Sequence, residues 1–367
     1  MRGQSLRRAG LTVAAPVLAV VFAMIVTSLV LAVAGDPVGG VWDVIFSKPK
    51  ARNVVNIVNG AGTLYLSALA AAIGFKMNLF NIGVDGQYRV AAFCAAWFGG
   101  YGLLPGWLNI LAAVLVAMVT GALWAGIAAA LRVTRGVSEV IATIMLNAIA
   151  GSLVAYLLRQ FGEVDGNNLA TTTLPKSSWL EGLQLVSGAP NKVYTLTILA
   201  VVAGLVYWVL LNRTVFGFSL RATGMSETAA AASGISSKRM ILAAMLLSGA
   251  VAGLIGMPLI FSSSHSYGLT FQTGLGFAGI AVALLGRNHP VGIGFAAVLF
   301  AFLNEQANGL QIQAGVSSDI VSIMQGVIVL SVVIAYAVVQ QVNKTAEQRA
   351  VAAQLAAAAK TPEGVTA

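Results

Sequence analysis

The sequence predicts an all-α polytopic membrane protein of about ten transmembrane helices, with a broken third helix and a short helix on the cytoplasmic side. Three observations carry this prediction. The chain is 58% hydrophobic and only 9% charged, with a mean hydropathy of +0.87, whereas soluble domains are roughly a quarter charged. Its apolar residues fall in runs of about 20, the length that crosses a hydrocarbon core. Its basic residues gather in alternate segments between those runs, the bias that orients membrane helices. A soluble core has no room for this much apolar surface, so lipid is the solvent for most of the chain.

Taken in order, the first run, 11–34, is longer than a signal-peptide core and lacks a small-residue cleavage site, so it is read as a retained helix. The second, 54–75, carries Asn56 and Asn59, and the third, 79–99, is interrupted. The fourth, 107–131, is entered through Leu104-Pro105-Gly106, and the fifth, 137–158, is followed by a polar segment, 159–192. The sixth is 193–212 and the seventh 240–261. Two shorter runs, 273–286 and 290–308, flank Arg287-Asn288-His289-Pro290, and 318–340 is the tenth. The domain plan is a cytoplasmic tail at 1–10, a membrane domain at 11–340 and a cytoplasmic tail at 341–367.

Charge tests the count. With the N-terminus inside, fourteen of the twenty-one Lys and Arg residues fall in inner segments and six in outer ones, with Arg89 inside the third run. An even number of crossings keeps both termini cytoplasmic. The formal charge of +9 is therefore a topology signal and does not point to nucleic acid. The single cysteine, Cys94, excludes an intramolecular disulfide and a multi-cysteine metal site, and its apolar setting reads as a buried inert thiol. His265 and His289 fall on opposite predicted sides, so no shared metal site is expected. Ser262–Ser264 with His265 matches no nucleophile elbow. No cofactor is expected.

The third run is the unusual one. FKMNLFNIGVDGQYRVAAFCAAW, from Phe75 to Trp97, holds Lys76, Asn78, Asn81, Asp85, Gln87 and Arg89 with Gly83 and Gly86 between them. Irregular polar chain at bilayer depth persists only inside protein or beside a watery cavity. The reading is a break near Gly83–Gly86 with helix resuming at about Gln87, where Asp85 and Arg89 stand four apart with the acid first. A short cytoplasmic loop followed by an ordinary helix is the alternative. Asp85 with Arg89 also fits a structural ion pair, and Asn147 in the fifth run a helix–helix hydrogen bond. The outer loop 159–192 reads either as a docking surface or as a solvated cap.

The inner loop 213–239 is more informative. After Gly224 it reads SETAAAASG, in which Ser226 caps a short helix, Glu227 lies in the first turn and Gly234 ends it. Arg221 and Lys238-Arg239 flank it. Such a segment presents a compact knob to the cytoplasm, and a plain solvated connector does not need two caps.

At this point the residues resemble a known family. GFSLRATGMSETAAAASGISSKRMILAAMLLS (Gly217–Ser248) resembles the cytoplasmic coupling region of permease subunits of ATP-binding-cassette (ABC) importers, in the branched-chain amino acid, ribose and simple-sugar superfamily. FNIGVDGQ at 80–87 looks like the nucleoside-type form of the third-helix motif, where sugar-type members tend to have Ile-Asp-Leu-Ser. RVTRGVSEVIATIMLN (132–147) and TGLGFAGIAVALLGRNHPVGIGFAAVLFAFL (273–303) agree. The Leu-Leu-Gly-Arg-Asn-His-Pro turn departs from the Gly-Gly form usual in sugar permeases. The likeness covers nearly all of the chain except the tails and 159–192.

The resemblance implies a permease that imports nucleosides or a related small polar solute, with a sugar as the alternative. A separate cytoplasmic ABC ATPase receives the coupling helix, since the chain has no GxxxxGK[ST] loop to hold ATP phosphates. It also implies a second, related permease, giving a heterodimer with the pathway at the interface, and an extracytoplasmic solute-binding protein. The expected coupling residues are Arg221, Ser226, Glu227, Ser233, Gly234, Ile235, Lys238 and Arg239. The pathway candidates are the polar groups at membrane depth: Asn81, Asp85, Gln87, Arg89, Asn147, Asn304, Glu305 and Asn308. The expected location is a bacterial inner membrane. An ion-coupled transporter would show related halves and several intramembrane carboxylates, and neither is evident.

Overall fold

The computed structural model describes residues 20–165 and 168–358. The predicted N-terminal tail, the start of the first run and the end of the C-terminal tail lie outside the described residues. Most of the described chain is helical, and the helices fall into two compact units, 44–309 and a second made of 1–43 with 310–367.

The larger unit holds α3 (Ala51–Phe75), α4 (Val84–Gly100), α5 (Gly106–Arg135), α6 (Glu139–Phe161), α7 (Thr197–Arg213), α8 (Val215–Met225), α9 (Glu227–Ala232), α10 (Ser237–Gly253), α11 (Met257–Leu259), α12 (Leu275–Leu285) and most of α13 (Pro290–Gln313). The smaller holds α1 (Val20–Ala34) and α14 (Asp319–Ala358), and the division in sequence falls within α2 (Val38–Ile45). In α1 the buried residues Ala23, Thr27 and Leu31 recur every fourth position. In α14 Val321, Met324, Ile328 and Val332 form a similar buried stripe.

Among the described residues, five helices are long and apolar enough to cross a bilayer: α3, α5, α6, the stretch Ser237–Ser264 and α13. The pair α7 and α8, bent by 72°, makes a sixth if taken as one span. The third and eighth predicted crossings fall on shorter helices, α4 and α12, because turns consume part of each apolar run. The third run illustrates this. Residues 76–83 are irregular and α4 begins at Val84, so the helix is continuous through Gly86 and the irregular chain comes before the position read as the break. The segment 159–192 is not all loop. It forms a hairpin, β1 (Glu163–Asp165) with β2 (Asn168–Ala170), and bonds to the loop after α11 through Thr171 N–H to Tyr267 O and Leu174 N–H to His265 O, each 2.8 Å.

Small residues set the spacing of the helices. On α5, Ala113, Ala117, Gly121 and Ala125 recur every fourth position and are buried. Leu111, Leu115, Val119, Leu123 and Ile127 keep the same period on an exposed face. This inverts a soluble core, with large side chains turned to lipid and the backbones meeting over small ones. α10 answers with Gly249-xxx-Gly253: a Cβ on Gly249 would meet the Gly121 carbonyl, and one on Gly253 the Ala117 carbonyl. Gly279 of α12 meets Ser67 of α3 in the same manner. Cys94 is half-buried and bonded to Thr120, less enclosed than its apolar run implied.

Gly249→Ala drives a methyl group into the Gly121 carbonyl, so purified protein in detergent should lose about 1–3 kcal/mol of stability. Gly294→Ala, whose Cβ meets only Tyr65 at 3.6 Å, should leave the melting temperature unchanged.

Candidate functional site

Chain that leaves a helix inside the protein needs new partners for its N–H and C=O groups. At the start of α4 these come from side-chain amides. Asn81 is fully buried. Its Oδ1 accepts from Gly83 N–H (3.0 Å) and Gln87 Nε2 (2.9 Å), and its Nδ2 donates to Ser248 Oγ (2.8 Å) and Gln87 Oε1 (3.1 Å). Ser248 in turn donates to Ala70 O (2.6 Å), tying α10 and α3 to the same point. Asn147 of α6 serves both sides of the first turn: its Oδ1 accepts from Gly86 N–H (2.8 Å) and its Nδ2 donates to Ile82 O (2.9 Å). Gly86 is needed here, because a Cβ would stand 2.9 Å from Asn147 Oδ1 and 3.0 Å from Ala150.

Asp85 and Arg89 take separate partners. Asp85, buried, accepts from Gly276 N–H of α12 (3.2 Å). The half-buried Arg89 guanidinium bonds Tyr267 and lies where Gly151 of α6 leaves room, 3.3 Å from a built Cβ. Among the described residues the ion pairs are Arg132–Glu139 (3.0 Å) and Lys192–Glu181 (3.9 Å), and Asp85–Arg89 is not one of them. Each instead connects α4 to a different neighbouring element.

Glu139, which the sequence reading passed over, is buried and does two jobs at the start of this region. It pairs with Arg132 and accepts from Phe80 N–H at 3.4 Å, joining the α5–α6 turn to the irregular lead-in of α4. Its sequence signal was an acid in the first turn of a helix after a Gly-Val-Ser corner. Nearby, burial and then the Arg221 guanidinium hold the Lys76 ammonium below its usual range.

The loop 213–239 behaves as its caps predicted. Ser226 Oγ accepts from Ala229 N–H at 3.2 Å, α9 spans Glu227–Ala232, and Gly234 closes it with φ +83. Ser233 N–H and Ile235 N–H return to Ala229 and Ala230 carbonyls. Only Ala230 of α9 is buried, and Glu227, Ser233, Gly234, Lys238 and Arg239 are exposed. Arg221 is half-buried on α8. Gly224 presses on the lead-in of α4: a Cβ there would lie 2.8 Å from the Met77 backbone.

The α13 candidates separate. Asn304 and Asn308 are exposed and one turn apart, and Glu305 accepts from Asn56 Nδ2 of α3 at 3.0 Å. Between them, Gln306, which the sequence reading missed, is the buried one. Its Nε2 donates to the Val44, Ile45 and Ser47 carbonyls (2.8, 3.0 and 3.2 Å) at the end of α2. Thus Asn81, Gln87 and Asn147 converge at one end of α4, with Asp85 beside them, while the α13 residues stand apart with Asn56.

The chain matches, over residues 53–335, the family model described as branched-chain amino acid transport system / permease component. It belongs to that permease family. It is 33% identical over 332 residues to the guanosine ABC transporter permease protein NupP of Bacillus subtilis (strain 168), covering 88% of this chain and 93% of the relative. It is 30% identical to the nucleoside ABC transporter permease protein NupB of Lactococcus lactis subsp. cremoris (strain MG1363), covering 88% and 90%. It is also 32% identical to the glucose ABC transporter permease protein TsgB13 of Haloferax volcanii, covering 86% and 85%. The permease is an integral membrane protein, as its apolar helices require, and it stands among the permease subunits of ABC transporters.

Asn147→Ala removes the partners of Gly86 N–H and Ile82 C=O together, and should cost about 1–3 kcal/mol, read as a lower melting temperature of the purified permease. Asn308→Ala, on the exposed face of α13, should leave it unchanged.

Proposed function

We propose that this permease is the membrane-spanning subunit of an ATP-driven importer that carries nucleosides, or a related small polar solute, into the cytoplasm. The observation that carries the reading is α9: a short helix capped at both ends, exposed on all but one residue and flanked by Arg221, Lys238 and Arg239. A rigid exposed knob with small side chains fits a groove on a separate cytoplasmic ABC ATPase. In this reading Arg221, Ser226, Glu227, Ser233, Gly234, Ile235, Lys238 and Arg239 form the contact or hold its shape. Approach of two ATPases then rocks the membrane halves between outward-open and inward-open states.

The reading includes ten crossings of a bacterial inner membrane, a third span entered through irregular chain, and both termini in the cytoplasm. It places the membrane domain at 11–340 between cytoplasmic tails at 1–10 and 341–367. A second, different permease supplies the other half of the pathway, and an extracytoplasmic binding protein delivers the solute onto the outer loop. Asp85, Arg89, Asn304, Glu305 and Asn308 are assigned to the pathway wall. Asn81, Gln87 and Asn147 belong to it as the groups that hold its shape. The nucleoside preference follows NupP and NupB. Likeness to the glucose permease TsgB13 keeps a sugar as the second reading.

The double variant Glu227→Ala, Gly234→Leu alters the first turn of α9 and places a side chain where φ is +83, a left-handed position that costs about 1–2 kcal/mol for a residue with a Cβ. It should abolish uptake of labelled guanosine while the permease stays in the membrane at its normal level, and it should no longer co-purify with the ATPase. Unchanged uptake would reject the coupling assignment. Competition by nucleosides against pentoses and hexoses separates the two solute readings.

A further inference from the structure

One space in the larger unit belongs to none of the residues assigned above. Asn56, Asn59, Gly60 and Thr63 share one face of α3, at i, i+3, i+4 and i+7, and line a cavity of about 210 Å³. Opposite them stand Gly256 and Leu259, at the junction of α10 and α11, and Phe271 from the loop before α12. Tyr194 and both asparagines also line an outer chamber of about 400 Å³. Together the two spaces reach the size range of small-molecule sites, roughly 300–1,000 Å³.

The walls differ in chemistry. The α3 side is polar. Asn56 gives one N–H to Glu305 and accepts from Asn191 (2.7 Å), and Asn59 gives one to Lys192 O (3.2 Å) and accepts from Tyr194 N–H (2.8 Å). A side-chain amide has two donors and two acceptor sites, so each asparagine keeps one of each for another molecule while its orientation is fixed by the fold. The opposite side is apolar and aromatic apart from Gln272, with Ile255, Leu259, Phe271 and Leu275. Gly256 makes room for the Phe271 ring, which a Cβ would approach to 3.0 Å. A π-helical turn, Ile260–Ser264, follows directly, a local irregularity that recurs at functional sites.

Charge is partitioned between the chambers. Arg52 and Lys192 line the outer one, and among the described residues the inner one is lined by no charged side chain. A carboxylate or phosphate moved inward would lose water without gaining a counter-charge. A neutral molecule with a flat ring and hydrogen-bonding edges suffers no such penalty.

We propose that this space inside a single permease chain is a solute-binding site for neutral molecules with a planar, hydrogen-bonding ring, nucleosides among them, and that it turns away amino acids and nucleotides. The proposal rests on the import reading above and adds where the solute pauses and by what chemistry it is selected.

The test uses the assembled transporter in liposomes, with Thr63→Cys placed in a Cys94→Ser background so that one thiol reports on the cavity. Guanosine at about ten times its Kd should slow modification of that thiol about tenfold, because only the unoccupied fraction reacts. Leucine and guanosine monophosphate at the same concentration should leave the rate unchanged. Phe271→Leu should raise the KM for guanosine uptake about fivefold through loss of ring contact, with the maximal rate retained. A thiol that never reacts, or that reacts equally fast with guanosine present in liposomes that still take it up, would overturn the site and leave the import reading standing. Wild-type liposomes that take up no guanosine would overturn both the site and the nucleoside reading.

Discussion

The structure depends on one constraint: chain that abandons the helix within the protein interior must have every N–H and C=O answered. Between Phe75 and Val84 the backbone does this with borrowed amides. Asn81 folds back on Gly83 and locks Gln87, Ser248 reaches from α10 to join Asn81 with the Ala70 carbonyl, and Asn147 reaches across from α6. Four helices are fixed relative to one another at this point. The polar cluster is therefore structural before it is anything else.

Around that point, association of the helices relies on close approach, because lipid supplies no hydrophobic drive between them. The α5–α10 contact shows how this is written in sequence, with alanine and glycine every fourth residue on one face and leucine, valine or isoleucine at the same period on the other. Composition announced the glycines, but only the facing of Gly121 by Gly249, and of Ala117 by Gly253, explains why they stand at those positions.

Much of the architecture was legible in the chain. Apolar runs located the helices, and Ser226 and Gly234 marked the ends of α9, because both signals are local. The irregular lead-in was legible as a concentration of Asn, Asp, Gln and Gly within an apolar run, although its place came out several residues too far along. What escaped was whatever depended on partners distant in sequence. Glu139 and Gln306 look like ordinary polar residues until Phe80 N–H and the end of α2 come to meet them. The Asp85–Arg89 spacing suited a pair, yet Gly276 N–H and Tyr267 offered each a partner from outside the helix. Asn56 and Asn59 were visible only as extra polarity, since no local pattern forecasts a cavity shared by α3 and the loop before α12.

Gly224 makes α8 and the lead-in of α4 neighbours without a cushion. Its bare Cα lies on the Met77 and Lys76 backbone so closely that not even a methyl group would fit between them. Two main chains in direct contact have no flexible side chain to absorb a displacement. Any displacement of α8 is thus passed to the root of α4 as in a gear with no backlash.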